Sequence, residues 1–161
     1  MTAWQLRRAT VDNLDAIMTL ESALFGSDAW SRSMMSGELN DRHSYYLVAF
    51  PVGEPNRIVG YAGLRAPRAE PQADIQTIGV AVDARRQGLG RVFMLRLIDE
   101  ARDRGAREVF LEVRADKPTA QALYESLGFE QIAVRAKYYQ PDGVDAHVMR
   151  LTIPAPQVRP T

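Results

Sequence analysis

Three groups of residues have types and spacing that could do chemistry: Arg85-Arg86-Gln87-Gly88-Leu89-Gly90-Arg91, Glu112 and Tyr124. The first follows an apolar, β-branched run and opens an amphipathic stretch. A strand that feeds a helix through glycines makes an anion site. The helix N-terminus offers unpaired N–H groups and the positive end of a dipole, and glycine lets a phosphate approach the backbone. The plain alternative is a connecting turn. Among nucleotide sites, the Walker pattern fails because no Gly-Lys-Ser or Gly-Lys-Thr follows. The dinucleotide fingerprint fails because the glycine spacing is short and the strand lies mid-chain. A coenzyme A pyrophosphate site remains.

Glu112 stands among Val109, Phe110, Leu111 and Val113, on the alternating face it shares with Phe110 and Arg114. A carboxylate there faces a polar cleft or is held in an ion pair with Arg114 or another arginine, since an unpaired buried charge costs several kcal/mol. Tyr124 lies at helical spacing from Ala120 and Lys117, so the three share one stripe. Its hydroxyl, with an ordinary pKa near 10, is a proton donor at neutral pH; packing beside Leu123 and Leu127 is the structural alternative.

The elements that must position these groups alternate from end to end. Trp4 to Ala9 reads as a strand, Asp12 as the cap of a helix ending near Gly26, and Ser31 to Leu39 as a second helix. Tyr45 to Phe50 and Arg57 to Leu64 read as two antiparallel strands, followed by a strand over Asp74 to Val82. A helix runs from near Gly88 to Gly105, with Leu89, Val92, Phe93, Leu97 and Ala101 as its apolar stripe. Val109 to Val113 is a strand, Pro118 opens a helix that Gly128 ends, and Glu130 to Gln140 with Val144 to Ile153 forms a hairpin around Asp142-Gly143. Strand, crossover helix and strand demand one right-handed parallel pair. The expected fold is therefore α/β (α+β): a mixed, mostly antiparallel sheet of six to seven strands with helices on both faces.

With 161 residues, 46% hydrophobic and 25% charged, the chain reads as one domain over 1–153, with 154–161 as a disordered tail. It has no cysteine and only His43 and His147, which removes disulfide scaffolds and Cys/His zinc sites; no metal is expected. Twenty basic and twenty acidic residues cancel, which argues against direct nucleic-acid binding. No signal peptide or membrane span is expected, so the reading is a cytoplasmic protein, monomer or weak dimer.

Thr77-Ile78-Gly79-Val80, Arg85-x-x-Gly88-x-Gly90, Leu111-Glu112-Val113-Arg114 and Ala120-x-x-Leu123-Tyr124-Glu125-Ser126-Leu127-Gly128-Phe129 resemble, in order and spacing, the GCN5-related N-acetyltransferase (GNAT) family. Glu21, Leu24-Phe25, Trp30-Ser31, Glu38-Leu39, Arg135 to Tyr139 and Asp142-Gly143 extend the resemblance to its ribosomal-protein-alanine branch, the RimI type, over most of residues 1–152. The resemblance implies a GNAT fold with acetyl-CoA as acetyl donor. Ile78, Gly79 and Val80 would present main chain to the pantetheine arm, and Arg86, Gln87, Gly88, Leu89, Gly90 and Arg91 would cradle the pyrophosphate. Lys117 stands where the family has an asparagine on the cofactor arm, and Val82 where it often has proline.

Acetyl transfer to an amine needs a base and an acid. The resemblance gives these roles to Glu112, through water, and Tyr124. Tyr138 and Tyr139 would wall a peptide groove. The implied partner is a protein or peptide N-terminus, that of an alanine-initiated small-subunit ribosomal protein. An α-amine with pKa near 8 is about a tenth neutral at pH 7, against about one in a few thousand for a lysine. A small-molecule amine, a lysine, or a non-catalytic acyl-CoA-binding module are the alternatives.

Overall fold

The computed structural model describes residues 3–155. Seven strands form one sheet: β1 (Trp4–Arg8), β2 (Ser44–Pro51), β3 (Gly60–Arg65), β4 (Gln72–Val80), β5 (Glu108–Arg114), β6 (Glu130–Tyr139) and β7 (Val144–Thr152). Their order is β1-β2-β3-β4-β5-β7-β6. Only β4 and β5 pair in parallel; every other neighbour is antiparallel. Four helices complete the fold: α1 (Leu14–Phe25), α2 (Arg32–Leu39), α3 (Leu89–Asp103) and α4 (Pro118–Ser126). The fold is the expected one. The last expected segment lies mostly outside the described residues, since 156–161 are not among them.

Each face of the sheet carries its own apolar layer. Phe93, Met94, Leu97 and Ala101 of α3 and Tyr124 of α4 pack with Leu47, Ala62, Leu64, Val109, Leu111 and Met149 from the strands. Leu14 and Ile17 of α1 and Met35 of α2 pack with Tyr46, Val48 and Tyr61 on the other face. That second layer rests on β2, β3 and β4. The same face over β5 and β7 carries no helix, and the edge strand β6 is exposed along nearly its whole length. No helix among the described residues is long and apolar enough to cross a membrane.

Three local boundaries differ from the sequence reading, each for a visible reason. Thr10, not Asp12, caps the first helical segment: its extended backbone lets Oγ1 accept from the Asp12 N–H, while Asn13 Oδ1 accepts from the Thr10 N–H at 3.0 Å. This reciprocal pair satisfies two donors and outcompetes a lone aspartate. A short 3-10 turn (Val11–Asn13) then precedes α1. Strand β3 begins at Gly60 rather than at Arg57, and β4 ends at Val80 because Val82–Ala84 forms another 3-10 turn.

Candidate active site

The site begins where two parallel strands part. β4 pairs with β5 only through Gln72, Ala73 and Asp74, opposite Glu108, Val109 and Phe110. Beyond that point β4 runs on to Val80 and β5 to Arg114 without pairing to each other. The separation coincides with a bulge: Gly63 faces Thr77 while Leu64 faces Ile75, so Gln76 is the extra residue. A bulge bends its strand and interrupts the ladder, which is how β4 leaves its neighbour. Gln76 Oε1 accepts from the Tyr46 hydroxyl at 2.8 Å, bracing the bulge from beneath.

The consequence is a wedge in which β4 keeps its pairing to β3 along one edge but, beyond Asp74, has no partner along the edge that faces β5. Ile78, Gly79 and Val80 lie on that stretch. A polyamide arm can satisfy such groups as a strand would, which is the fit expected of pantetheine. Gly79 is required for a separate reason: a Cβ there would stand 2.7 Å from the Tyr61 ring and hydroxyl.

Past β4 the chain turns into α3. Gly88 is the N-cap at φ +78, a conformation that costs L residues about 1–2 kcal/mol, and no side chain caps the helix. A Cβ on Gly88 would meet nothing within 4 Å. The first N–H groups of this fifteen-residue helix have no side-chain cap, the arrangement a pyrophosphate needs. Arg86 is exposed and also left-handed at φ +63. Gln87 Oε1 accepts from the Trp4 indole N–H at 3.1 Å, which ties the turn to β1. Leu89 is buried in the core, and Arg91 Nη2 donates to Ser126 Oγ at 2.7 Å.

A Cβ on Gly90 would stand 3.5 Å from Leu123 of α4, an ordinary van der Waals contact. Lys117 is exposed at the N-terminus of α4 and Val82 is 72% exposed beside the turn.

Glu112 projects from the opposite side of β5 to the buried Leu111 and Val113. It enters an open cavity of about 590 Å³, lined also by Asp28, Trp30, Asp74, Gln76, Phe110, Tyr138, Tyr139 and Val148. No lysine or arginine lines that cavity. Three carboxylates line it, Asp28, Asp74 and Glu112; Arg114 holds Asp28 and Arg135 reaches Glu112 from outside the cavity. Glu112 does pair with an arginine, but with Arg135 at 3.4 Å and not with Arg114. The pair is open to solvent and worth little in stability. Burial, then the charge of Glu112, raises the Asp74 carboxyl above its ordinary range. Burial, then Glu112, Tyr138 and Asp28, pushes Tyr139 up to about 12.

Tyr124 lies on the other face, buried among Leu111, Phe129 and Met149, its ring 6.1 Å from that of Phe129. Burial pushes its hydroxyl up to about 12, and that hydroxyl has no hydrogen-bond partner among the described residues. Glu112 and Tyr124 thus lie on opposite faces of the sheet about β5.

Two residues near the site were not assigned chemistry from their spacing. Glu21 is 1% exposed in α1, and its carboxylate accepts from the Tyr61 hydroxyl at 2.5 Å, Thr77 Oγ1 at 3.0 Å and the Trp30 N–H at 3.0 Å. It joins the wedge strand to the cavity wall. The signal was its place on the stripe with Leu14 and Ile17, where a charge is unexpected. Arg114, one of the arginines considered as a partner of Glu112, is bound to three aspartates. His147 Nδ1 lies 3.0 Å from Gln121 Oε1, a structural contact between β7 and α4.

Comparison with known proteins agrees with this geometry. Residues 14–129 match the acetyltransferase (GNAT) family. The N-alpha-acetyltransferase RimI of Mycobacterium tuberculosis is 40% identical over 134 residues, 81% of each chain. The [ribosomal protein bS18]-alanine N-acetyltransferase of Escherichia coli K12 is 36% identical over 126 residues, 77% of this chain and 81% of that one. A crystal structure of the ribosomal-protein-S18-alanine N-acetyltransferase from Escherichia coli superimposes with a TM-score of 0.84 at 30% identity, covering 96% of this chain and 97% of the other. By the matched residues and the identity to these relatives, the chain belongs to the GNAT family of N-acetyltransferases.

Proposed function

We propose that this N-acetyltransferase modifies the N-terminal α-amine of an alanine-initiated, small-subunit ribosomal protein, with Glu112 as base and Tyr124 as acid. One observation carries the reading: the carboxylate and the phenol lie on opposite faces of the sheet about β5, the strand that bounds the wedge, so an amine and a thiol leaving group can be served from different sides. Acetyl-CoA, the acetyl donor, supplies an activated thioester. The wedge main chain of Ile78 to Val80 and the N-terminus of α3 at Gly88 bind and orient it.

The acceptor enters the cavity as its ammonium. Glu112, through a water, takes the proton that makes the nitrogen a nucleophile. The new C–N bond forms as the C–S bond breaks, and Tyr124 delivers a proton to the sulfur. The second proton released by the nitrogen passes through solvent to restore the phenol, so that one net proton leaves through Glu112. A phenol at about 12 is fully protonated at neutral pH, as that role requires. An α-amine suits a lone carboxylate base better than lysine, since about a tenth of it is already neutral at pH 7. Two relatives whose names specify alanine N-acetylation of ribosomal protein bS18 support the acceptor.

The test is turnover of acetyl-CoA with matched peptides. An alanine-initiated peptide with a free terminus should be acetylated, and the same peptide with a blocked terminus and an internal lysine should not. Acetylation of the blocked peptide alone would move the acceptor to lysine. No product with any amine would leave an acyl-CoA-binding module.

A further inference from the structure

Arg114 ends β5 two residues beyond Glu112 and on the same face, with its side chain 15% exposed. Its guanidinium reaches three segments, two of them distant in sequence. Nη1 donates to Asp28 Oδ2 at 2.5 Å, in the turn Gly26–Asp28 that follows α1. Nη2 donates to Asp142 Oδ2 at 2.9 Å, at the tip of the β6–β7 hairpin. Nε and Nη2 also hold both oxygens of Asp116, at 3.0 and 3.1 Å, on the way into α4. The guanidinium carbon lies 5.0 Å from the centre of the Tyr139 ring.

Two of these partners, Asp28 and Tyr139, line the cavity that receives Glu112. Asp28 belongs to the wall that continues to Trp30, and Tyr139 to the wall with Tyr138 and Gln140. Neither wall is held to the other by the sheet: the first is a loop over the face, the second a hairpin at the sheet's free edge. One cation meets three carboxylates, so removing it leaves like charges facing one another across the opening. Asp28 is itself only 16% exposed, and repulsion involving it would be poorly screened. Only a guanidinium presents enough donors in a fixed fork to serve all of them; an ammonium is a single point.

We propose that Arg114 is a positioning residue for the acceptor: it fixes the two cavity walls at a set distance from each other and from Glu112. The proposal rests on reading that cavity as the amine site. Fixed walls bind a peptide without a further ordering cost, so acceptor affinity depends on Arg114 while the acetyl-CoA wedge does not.

Arg114→Gln should raise KM for the alanine-initiated peptide about tenfold or more, leave kcat within about threefold, and leave the acetyl-CoA Kd within about twofold by calorimetry. Arg114→Lys should fall between this variant and the wild type. Asp28→Asn and Asp142→Asn should each raise KM in part, and lose that effect in the Arg114→Gln background; they carry the test if Arg114→Gln does not fold. Hydrogen exchange on the free enzyme needs no acceptor and separates the clamp from the acceptor assignment. The Ala29, Trp30 and Gly143 amides, bonded in the native walls, should exchange faster in Arg114→Gln. An unchanged KM, wild-type exchange in both walls, or an equal loss of acetyl-CoA affinity would overturn the proposal. Failure of the wild-type enzyme to acetylate the alanine peptide, with exchange altered as described, would overturn the acceptor assignment and leave the clamp standing.

Discussion

The two glycines of the α3 turn should respond oppositely to the same added methyl group. At Gly88 the backbone is left-handed at φ +78 and the Cβ would point into open space in front of the helix. Gly88→Ala should therefore cost about 1–2 kcal/mol from backbone conformation alone. For a chain of this length that lowers Tm by about 2–8 °C, at about 2–4 °C per kcal/mol. The methyl also stands where an anion would approach, and losing one charge-assisted hydrogen bond worth about 1.5–3 kcal/mol weakens acetyl-CoA about ten- to hundredfold. At Gly90 the Cβ would make ordinary contact with Leu123 at 3.5 Å inside the first turn of α3. Gly90→Ala should gain up to about 1 kcal/mol of helix propensity, raise Tm by up to about 4 °C, and bind acetyl-CoA within about twofold of wild type. Thermal unfolding and calorimetry on both variants read the contrast. If Gly90→Ala lost as much affinity as Gly88→Ala, or if Gly88→Ala bound like wild type, the assignment of the anion to the open side of Gly88 would be wrong.

Glu112→Gln should lower kcat about 10²- to 10⁴-fold near pH 7 and recover part of it as pH rises through the amine's pKa near 8; wild-type kcat at neutrality would reduce Glu112 to a partner of Arg135. Tyr124→Phe should lose kcat on a similar scale with no such recovery, and its acetyl-CoA affinity should be unchanged. The same variant has a stability signature. Because folding raises the Tyr124 pKa to about 12 from about 10, its contribution is fully present below pH 10 and is lost as pH rises toward 12. Denaturant titration between those limits should show a smaller alkaline loss in Tyr124→Phe than in wild type, and equal losses would refute the burial-driven shift.

Local signals made much of this fold legible, and tertiary competition hid the rest. The α3 stripe, Pro118 at the start of α4 and the glycines at 88, 105 and 128 mark element ends because a helix terminus needs particular backbone conformations. The parallel β4–β5 pair followed from the crossover. The sheet order did not, since placing β7 between β5 and β6 depends on pairing over long sequence separation. Asp12 looked like a cap because its residue type is favoured there; Thr10 and Asn13 act as a pair, which single-residue preference does not register. A shared face put Arg114 among the arginines that could pair with Glu112. Three aspartates brought by other segments take Arg114, and β6 brings Arg135 to Glu112 instead.

The placement of Glu112 and Tyr124 on opposite faces rests on the register of a single strand. Glu112 stands opposite Val148 and Leu111 opposite Met149, which puts the carboxylate toward the cavity and the leucine among Tyr124, Phe129 and Met149. Because strand side chains alternate with period two, a slip of one residue would exchange them. It would drive Glu112 into the apolar layer beneath α3 and α4, at a cost of several kcal/mol for an unpaired charge, and strand Val109, Leu111 and Val113 in the open. The three buried aliphatics that secure the register therefore also aim the carboxylate. A substitution such as Leu111→Ala should act on the fold first, through the cavity it leaves, and on turnover only as far as β5 shifts with it.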